Sequence, residues 1–334
     1  MPAVITHYLM GQKTIDTYGA DALTVNVREH VEIFNLGCQG PDILFFARGD
    51  KKLNHLGEQM HKSGINAFFA ECIKLVRKTA IGDGRAVLES YIAGFLCHYA
   101  MDTCTHPYIY YKSGFSSEDG ALKGSFATAH RFLETTIDCI LSKKLSNMNP
   151  YEQNIPKRLN APKKEKKVVS YLLAEAISNS YNIERYPEDY AKAMRDMIRI
   201  YWVFRSKYGI RRNIITLIGR LVGDKGATGA LIHYSPVNNL DYLNENQADW
   251  CYPWNDMFEI NLTFNELTDR AIEDARIYIS AFFKAVRKNL DDKIALNIIG
   301  NKNFSTGLEY DTKFLYYNNN LQELKRRVDK HDHN

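Results

Sequence analysis

The chain has 334 residues, of which 45% are hydrophobic and 25% charged, and its formal net charge is +4 at pH 7. This length allows one large domain or two ordinary ones, and the composition excludes a disordered chain or a fibre. Nucleic-acid-binding proteins usually concentrate basic residues far more strongly, so the charge alone indicates no such partner. Six cysteines are too few for a disulfide scaffold in a chain of this length.

The start of the chain, MPAVITHYLMGQKT, has neither the charged segment nor the long apolar segment of a secretory signal. No uninterrupted apolar run is long enough to span a bilayer, so we expect no transmembrane segment. We therefore expect a cytoplasmic protein with reduced thiols. The sequence leaves the oligomeric state open.

Helical periodicity dominates the first half of the chain. We predict one helix at 19–37, another across 56–84 with a possible break at Ser63–Gly64, and an amphipathic helix at 125–145. Between them, residues 84–107 are apolar nearly all round, as expected for a central helix. Because proline disfavours helical backbone at the preceding residue, we expect this central helix to end near His106.

The second half of the chain is also predicted to be mainly helical, and we identify no strand hairpin, so the predicted fold is an all-α multi-helix bundle. We expect a single helical domain over 1–334, with a ligand-bearing core at 1–148, additional helices and a closing loop at 165–300, and a frayed tail at about 318–334. Helices are predicted at 168–180, 187–207, 210–222 and 264–289, and a long ordered loop at 232–256. The aromatic residues of that loop either close over a site or pack the bundle: Trp250, Tyr252 and Trp254.

The stretch FLCHYAMDTCTHPY, residues 95–108, places His98, Asp102 and His106 four residues apart in an otherwise apolar or small run. Positions i and i+4 share a helix face, so His98 and Asp102 project together, whereas His106 is rotated from His98 by about 80°. His130 and Glu134 repeat this spacing on the next predicted helix. Two such pairs on successive helices are typical of metal sites in helical bundles.

A buried carboxylate without a cation is costly, and Asp102 has no Lys or Arg nearby in the sequence. A metal ion is the simplest source of positive charge, and imidazole together with carboxylate suits zinc. A single His–x3–Asp pair on a helix is more often a hydrogen bond or a surface pair. The spacing alone therefore leaves both interpretations open.

Five segments occur in a recognisable order within residues 1–140: THYLMG, GCQGPDILFF, GEQMHKSG, HYAMDTCTHPY and HRFLE. This series resembles the zinc-dependent phospholipase C superfamily, which includes the fungal single-strand nucleases. The resemblance implies a helical bundle with a buried multinuclear site for two or three zinc ions.

The resemblance also implies the ligands. It assigns one zinc ion to Asp42, His61, His98 and Asp102, and a second to His106, His130 and Glu134. Asp102 would bridge the first ion to a third, which His7 also binds and which the amino group of the mature N-terminal residue, here Pro2, would complete. His61 is preferred to His55 because of the segment MHKSG.

In such a site, a zinc-activated hydroxide would attack phosphorus, and Asp42 would orient or deprotonate the water. The resemblance therefore implies a phospholipase C-like phosphoester hydrolase that acts on a phospholipid headgroup or another phosphodiester. The aromatic residues that bind choline in secreted members are not visible at their usual positions, so the substrate is not carried over.

Two alternatives remain at this stage. A nuclease or nucleotidase could use the same zinc core, although the sequence offers no obvious basic stripe for a nucleic acid. A non-catalytic, metal-stabilised helical domain is the other, but the full ligand series argues against it because a structural zinc site needs only four closed ligands.

Overall fold

A computed structural model of the chain describes residues 4–18, 22–114, 123–205, 233, 240–310 and 312–314. The predicted all-α class is confirmed. The helices are α1 (Val4–Asp16), α2 (Ala22–Glu29), α3 (Val31–Gly37), α4 (Lys51–Lys62), α5 (Ile65–Lys78), α6 (Asp83–Ser113), α7 (Lys123–Ser146), α8 (Ile155–Arg158), α9 (Lys163–Tyr181), α10 (Pro187–Phe204), α11 (Phe264–Val286) and α12 (Asp292–Ile299), with a 3-10 helix at Gly40–Phe46. The predicted helix at 210–222 and the predicted tail at 318–334 lie outside the described residues.

Helix α6 is the axis of the bundle. It has 31 residues and is buried over most of its length, as expected for a helix that is apolar on all sides. Helices α3 and α11 pack most extensively against it, and α1, α2, α7 and α9 also contact it. Early and late parts of the chain thus bury side chains against the same helix, while the division into a core at 1–148 and an addition at 165–300 stays a prediction.

The prediction that this helix ends near His106 is wrong, because α6 continues through Pro107 to Ser113. A proline lacks the N–H that would otherwise bond to the carbonyl of Thr103, four residues earlier. Tyr108 and Ile109, which follow the proline, are both buried. Their packing outweighs the local preference of the residue before a proline.

Two other helix boundaries test the sequence patterns. The predicted helix at 19–37 is divided into α2 and α3 at His30, whose backbone has φ −119° and ψ 41°. The predicted break at Ser63–Gly64 is confirmed: Gly64, with φ 80°, separates α4 from α5. A positive φ of this size is available to glycine without steric cost.

The predicted loop at 232–256 contains an antiparallel hairpin that sequence reasoning missed. Strand β1 (Trp250–Tyr252) pairs with β2 (Asn255–Ile260), and Trp250 lies opposite Ile260. Trp250 is 1% exposed and donates a hydrogen bond from Nε1 to the Leu262 carbonyl at 2.9 Å, so it packs the bundle and does not close over a site. β1 has only three residues and β2 is exposed over most of its length, so neither shows the apolar–polar alternation that predicts a half-buried strand.

Close packing of α3 on α6 depends on two glycines. A Cβ atom on Gly94 would lie 2.2 Å from the Phe34 carbonyl oxygen, and one on Gly37 would lie 2.1 Å from the Tyr91 carbonyl oxygen. We expect Gly94→Ala to lower the free energy of unfolding by about 1–3 kcal/mol, measured by urea denaturation, because it overpacks this contact.

Gly84→Ala is the matched control, since it lies on the same helix and its Cβ would meet no atom within 4 Å. It should leave stability unchanged or raise it by up to about 1 kcal/mol. Equal stability of the two variants would contradict this account of the α3–α6 contact.

Candidate metal centre

The structure brings the described candidate ligands together at the middle of the bundle. Their side chains are buried or nearly buried, and five structural elements supply them. These are α1 with His7, the 3-10 helix with Asp42, α4 with His61, α6 with His98, Asp102 and His106, and α7 with His130 and Glu134. Pro2, the predicted N-terminal ligand, lies outside the described residues.

Asp102 occupies the centre of this arrangement. Its Oδ1 lies 3.2 Å from His7 Nε2, and its Oδ2 lies 3.1 Å from His98 Nε2 and 3.8 Å from His61 Nε2. The two oxygens of one carboxylate thus face different imidazoles. A carboxylate placed in this way can bridge two cations.

The described part of the chain contains three groups of potential ligand residues. Within each group, the ligand atoms all lie within 4.8 Å of one another. Two of these groups share His98, whereas the third uses a separate part of α6 and α7. The groups are His7, Asp42 and His98; His61, His98 and Asp102; and His106, His130 and Glu134. This grouping suits two neighbouring cations on one side and another cation beside them.

Gly40 allows Asp42 to reach this centre. Its φ is 49°, and a Cβ atom there would lie 2.2 Å from Cδ2 of His98, so a larger residue would push the 3-10 helix away. Asp42 Oδ1 lies 3.1 Å from His61 Nε2. The GPD segment therefore aims a carboxylate from a tight turn, as its sequence suggests.

The imidazoles of three histidines are oriented from behind by backbone carbonyls. The Nδ1 atom of His61 lies 2.7 Å from the Gly57 carbonyl oxygen. The Nδ1 atom of His98 lies 3.2 Å from that of Cys38, and the Nδ1 atom of His106 lies 3.0 Å from that of Phe304. Such contacts fit a protonated Nδ1 that donates to the carbonyl, which leaves Nε2 as the free donor atom for a metal.

The donor set fits zinc. Three buried atoms in the centre make no hydrogen bond within the described residues: His7 Nδ1, Asp42 Oδ1 and His98 Nε2. Buried polar atoms nearly always have a partner, and imidazole nitrogen with carboxylate oxygen is the set that zinc binds. Among the described residues, the ion pairs of Asp42 and Asp102 involve only histidines, so no Lys or Arg supplies the missing positive charge there.

The charges of the metal-free centre are strongly coupled. Burial raises the pKa of Asp102, but the neighbouring His106 and His98 hold it well below its usual range. Burial lowers the pKa of His106, but Asp102 and Glu134 outweigh burial and raise that pKa to about 9. Asp102 is therefore a carboxylate, and His106 is protonated at neutral pH when no metal is bound.

Asp138 was not identified from the sequence, although it lies one further i+4 step beyond Glu134 on α7. It is fully buried and accepts hydrogen bonds from Ile5 N at 3.0 Å, Thr6 N at 2.7 Å and Thr6 Oγ1 at 2.6 Å. His233 Nε2 lies 2.8 Å from Asp138 Oδ2, the oxygen that also accepts from Ile5 N. Asp138 thus fixes the start of α1 next to His7.

Aromatic side chains lie beside the group of His106, His130 and Glu134. The Tyr110 ring is 4.8 Å from that of His130 and 5.0 Å from that of Phe314. The Phe314 ring lies 6.2 Å from the Trp254 ring, and the Trp254 ring stacks on the Tyr252 ring at a centroid distance of 5.0 Å. We call these four residues the aromatic wall: Tyr110, Tyr252, Trp254 and Phe314.

His55, the alternative to His61, is not part of the centre. Its side chain is 76% exposed and its Nδ1 lies 3.4 Å from Glu58 Oε2. The preference for His61 therefore agrees with where the two side chains lie.

Comparison with known proteins gave one finding. The family model described as zinc dependent phospholipase C matches residues 6–202, which is more than half of the chain and includes every candidate ligand except Pro2. No curated protein and no solved structure matches the chain.

The charge state of His106 makes metal binding pH-dependent. A metal that binds His106 must displace its proton at pH 7, whereas above a pKa of about 9 the imidazole is already neutral. We expect the zinc affinity of the metal-free protein to rise from pH 7 to pH 9, while the proton release that His106 contributes declines over the same range. Calorimetry in buffers of different ionisation enthalpy measures both quantities.

His55→Gln serves as the control, because this exposed histidine should not change the proton release. A zinc affinity that is independent of pH between 7 and 9 would contradict a metal-free centre in which the metal must displace a proton from His106.

Proposed function

The chain belongs to the zinc-dependent phospholipase C family, and we propose that it is a zinc-dependent phosphodiesterase of phospholipase C type. Family membership supports phosphoester hydrolysis, and the His and Asp clusters suit zinc. One observation carries the proposal: the buried carboxylate of Asp102 lies between separate sets of imidazoles, with its two oxygens 3.2 Å and 3.1 Å from His7 and His98. A site closed by four ligands would not need this shared position.

In the proposed ligand set, the groups around Asp102 and around Glu134 hold different ions. Asp42, His61, His98 and Asp102 would hold the first, and His106, His130 and Glu134 the second. Asp102 would also reach a third ion together with His7. The mutual distances of the described donor atoms support the separation of the Glu134 group, and they also bring His7 close to Asp42 and His98.

Bound zinc supplies Lewis-acid chemistry, which lowers the pKa of a water and offsets negative charge on phosphoryl oxygens. The chain's own residues supply the rest. Asp42 would accept a proton from the attacking water or orient it, because its buried carboxylate faces the centre, with Oδ1 3.1 Å from His61 Nε2. Asp102 and the imidazoles keep their positions during the reaction because they are buried and because carbonyl oxygens orient three of the rings.

Among phosphodiesters, the family suggests a lipid substrate. The aromatic wall favours the same choice, because it places aromatic rings beside the candidate ligand His130. A phospholipid would place its phosphate at the metals and its glycerol or headgroup against Tyr110 and Trp254. None of the helices within the described residues is long and apolar enough to cross a membrane.

Nuclease or nucleotidase activity is the second candidate. The stacked pair of Tyr252 and Trp254, with an interplanar angle of 27°, is a surface on which a nucleobase could also stack. The two activities differ in substrate but share the metal chemistry.

Two substitutions test the proposed roles of the carboxylates. Asp42→Asn should lower kcat by about 10²–10⁴-fold and also lower the zinc content, because it removes both the proton acceptor and a ligand of the first ion. Asp102→Asn should lower kcat and also the zinc content, because it removes a bridging ligand. Steady-state kinetics on a chromogenic phosphodiester and metal analysis of the same samples measure both effects.

Asp16→Asn is the matched control, since Asp16 is an exposed carboxylate on the helix that carries His7. It should leave kcat and zinc content unchanged. If Asp102→Asn kept full zinc content and full turnover, the bridging role would be wrong.

Metal removal tests the reaction itself. Treatment with a chelator should abolish cleavage of the chromogenic phosphodiester, and added Zn²⁺ should restore it. Parallel assays on short-chain phosphatidylcholine and single-stranded DNA then distinguish the two candidate substrates, with the phospholipid expected to be cleaved faster. Turnover that survives complete removal of zinc would contradict the proposed function.

A further inference from the structure

A segment far from the family match lies directly against the metal centre. The match ends at residue 202, whereas residues 300–308 follow the last described helix and pack onto α4 and α6. We propose that this segment, which we call the C-terminal clamp, holds His61 and His106 in the orientation that binds metal, with Phe304 as its positioning residue. The proposal rests on the metal ligands assigned above and does not depend on the reaction.

Phe304 connects two candidate ligands that belong to different helices. Its backbone N–H donates to the His61 carbonyl at 2.9 Å, and its own carbonyl lies 3.0 Å from His106 Nδ1. Its ring is fully buried and lies 4.9 Å from the His61 ring and 5.8 Å from the His98 ring. A single residue therefore constrains the end of α4 and the ring of His106 together.

The contact between His106 and the clamp decides which ring nitrogen lies beside Glu134. Nδ1 of His106 has a second acceptor, Asp102 Oδ2, at 3.6 Å, while Nε2 lies 3.4 Å from Glu134 Oε1. The Phe304 carbonyl, at 3.0 Å, is the nearer acceptor for Nδ1. While that carbonyl binds Nδ1–H, Nε2 stays available beside Glu134 and His130.

The clamp is itself fixed at several points. The Lys302 N–H donates to Tyr99 Oη at 2.7 Å, and the Asn66 side chain donates to the Gly300 carbonyl at 3.2 Å. Within the clamp, the N–H groups of Asn303 and Gly307 close a tight turn, to Leu308 O and Asn303 O, each at 2.8 Å. These contacts hold Phe304 in place without using any candidate ligand.

Gly307 fits against the part of α6 that Pro107 leaves without a helical hydrogen bond. A Cβ atom at position 307 would lie 2.4 Å from the Thr103 carbonyl oxygen, the acceptor that lacks its N–H because of Pro107. Gly307 also has a φ of 69°. A side chain at this position would displace the clamp from α6 without touching a ligand.

Gly307→Ala in the full-length chain tests the clamp, and Gly49→Ala is its matched control. Gly49 has a similar φ of 79°, but its Cβ would meet no atom within 4 Å. We measure zinc dissociation constants by competition with a chelator, together with the ¹H and ¹⁵N shifts of the His106 Nδ1–H group, which report its hydrogen bond to the Phe304 carbonyl. Gly307→Ala should weaken the binding of one ion by about 10–100-fold and weaken that hydrogen bond, whereas Gly49→Ala should bind zinc like the wild type.

Tyr99→Phe provides a second test that preserves folding, because it removes only the hydroxyl that accepts from Lys302 N. Tyr91→Phe, at a buried tyrosine two turns earlier on α6, is its control. Tyr99→Phe should weaken the same ion, and Tyr91→Phe should not. Circular dichroism checks that all four variants are folded.

The outcomes separate the clamp from the metal assignment. If the wild type binds zinc and both Gly307→Ala and Tyr99→Phe bind it as tightly as their controls, the clamp proposal is wrong. If the wild type binds no zinc, the ligand assignment fails first, and the clamp fails with it.

Discussion

The burial of Asp102 is the constraint on which the rest of the structure depends. This carboxylate is 3% exposed, and it lies in the middle of a helix that is buried on nearly all sides. A buried negative charge requires nearby positive charge. The chain surrounds it with histidines from α1, α4 and α6, which can supply that charge either as protons or as the ligands of cations.

Orientation by the backbone links this charge to the fold. Carbonyls of Gly57, Cys38 and Phe304 each face the Nδ1 of a different histidine, so the rings are held by parts of the chain whose positions depend on helix packing. Glycines at close contacts also help to position the ligands. Gly40 permits the approach of Asp42 to His98, and Gly94 permits that of α3 to α6. Packing and metal chemistry are therefore not separable in this molecule.

Local spacing was sufficient to identify pairs of side chains that share one face of α6 or α7, although it left open whether they bind a metal. His98 with Asp102, and His130 with Glu134, are neighbours on a helix wherever that helix lies, so an i, i+4 pattern identifies them. The meeting of these pairs with His7, Asp42 and His61 was inferred from the resemblance of the segments that carry them. The helical fold followed from periodicity in the same way.

Contacts between distant parts of the chain could not be predicted by such rules. Phe304 is 198 residues from His106, and Asp138 is 132 residues from Thr6, so no local pattern joins them. The rule for residues before proline failed at His106 because buried side chains beyond Pro107 stabilise the helix. The sequence alone did not show whether Trp250 closes over a site or packs the bundle, because its burial depends on a hairpin whose strands have no alternating sequence pattern.

Anomalous diffraction at the zinc absorption edge tests the central claim most directly. Crystals of the full chain, with its N-terminus defined by mass spectrometry, should show a peak at coordination distance from Asp102, about 2.0–2.2 Å from a carboxylate oxygen. A further peak is expected among His106, His130 and Glu134. An anomalous map without density at either place, from protein supplied with zinc, would contradict the account.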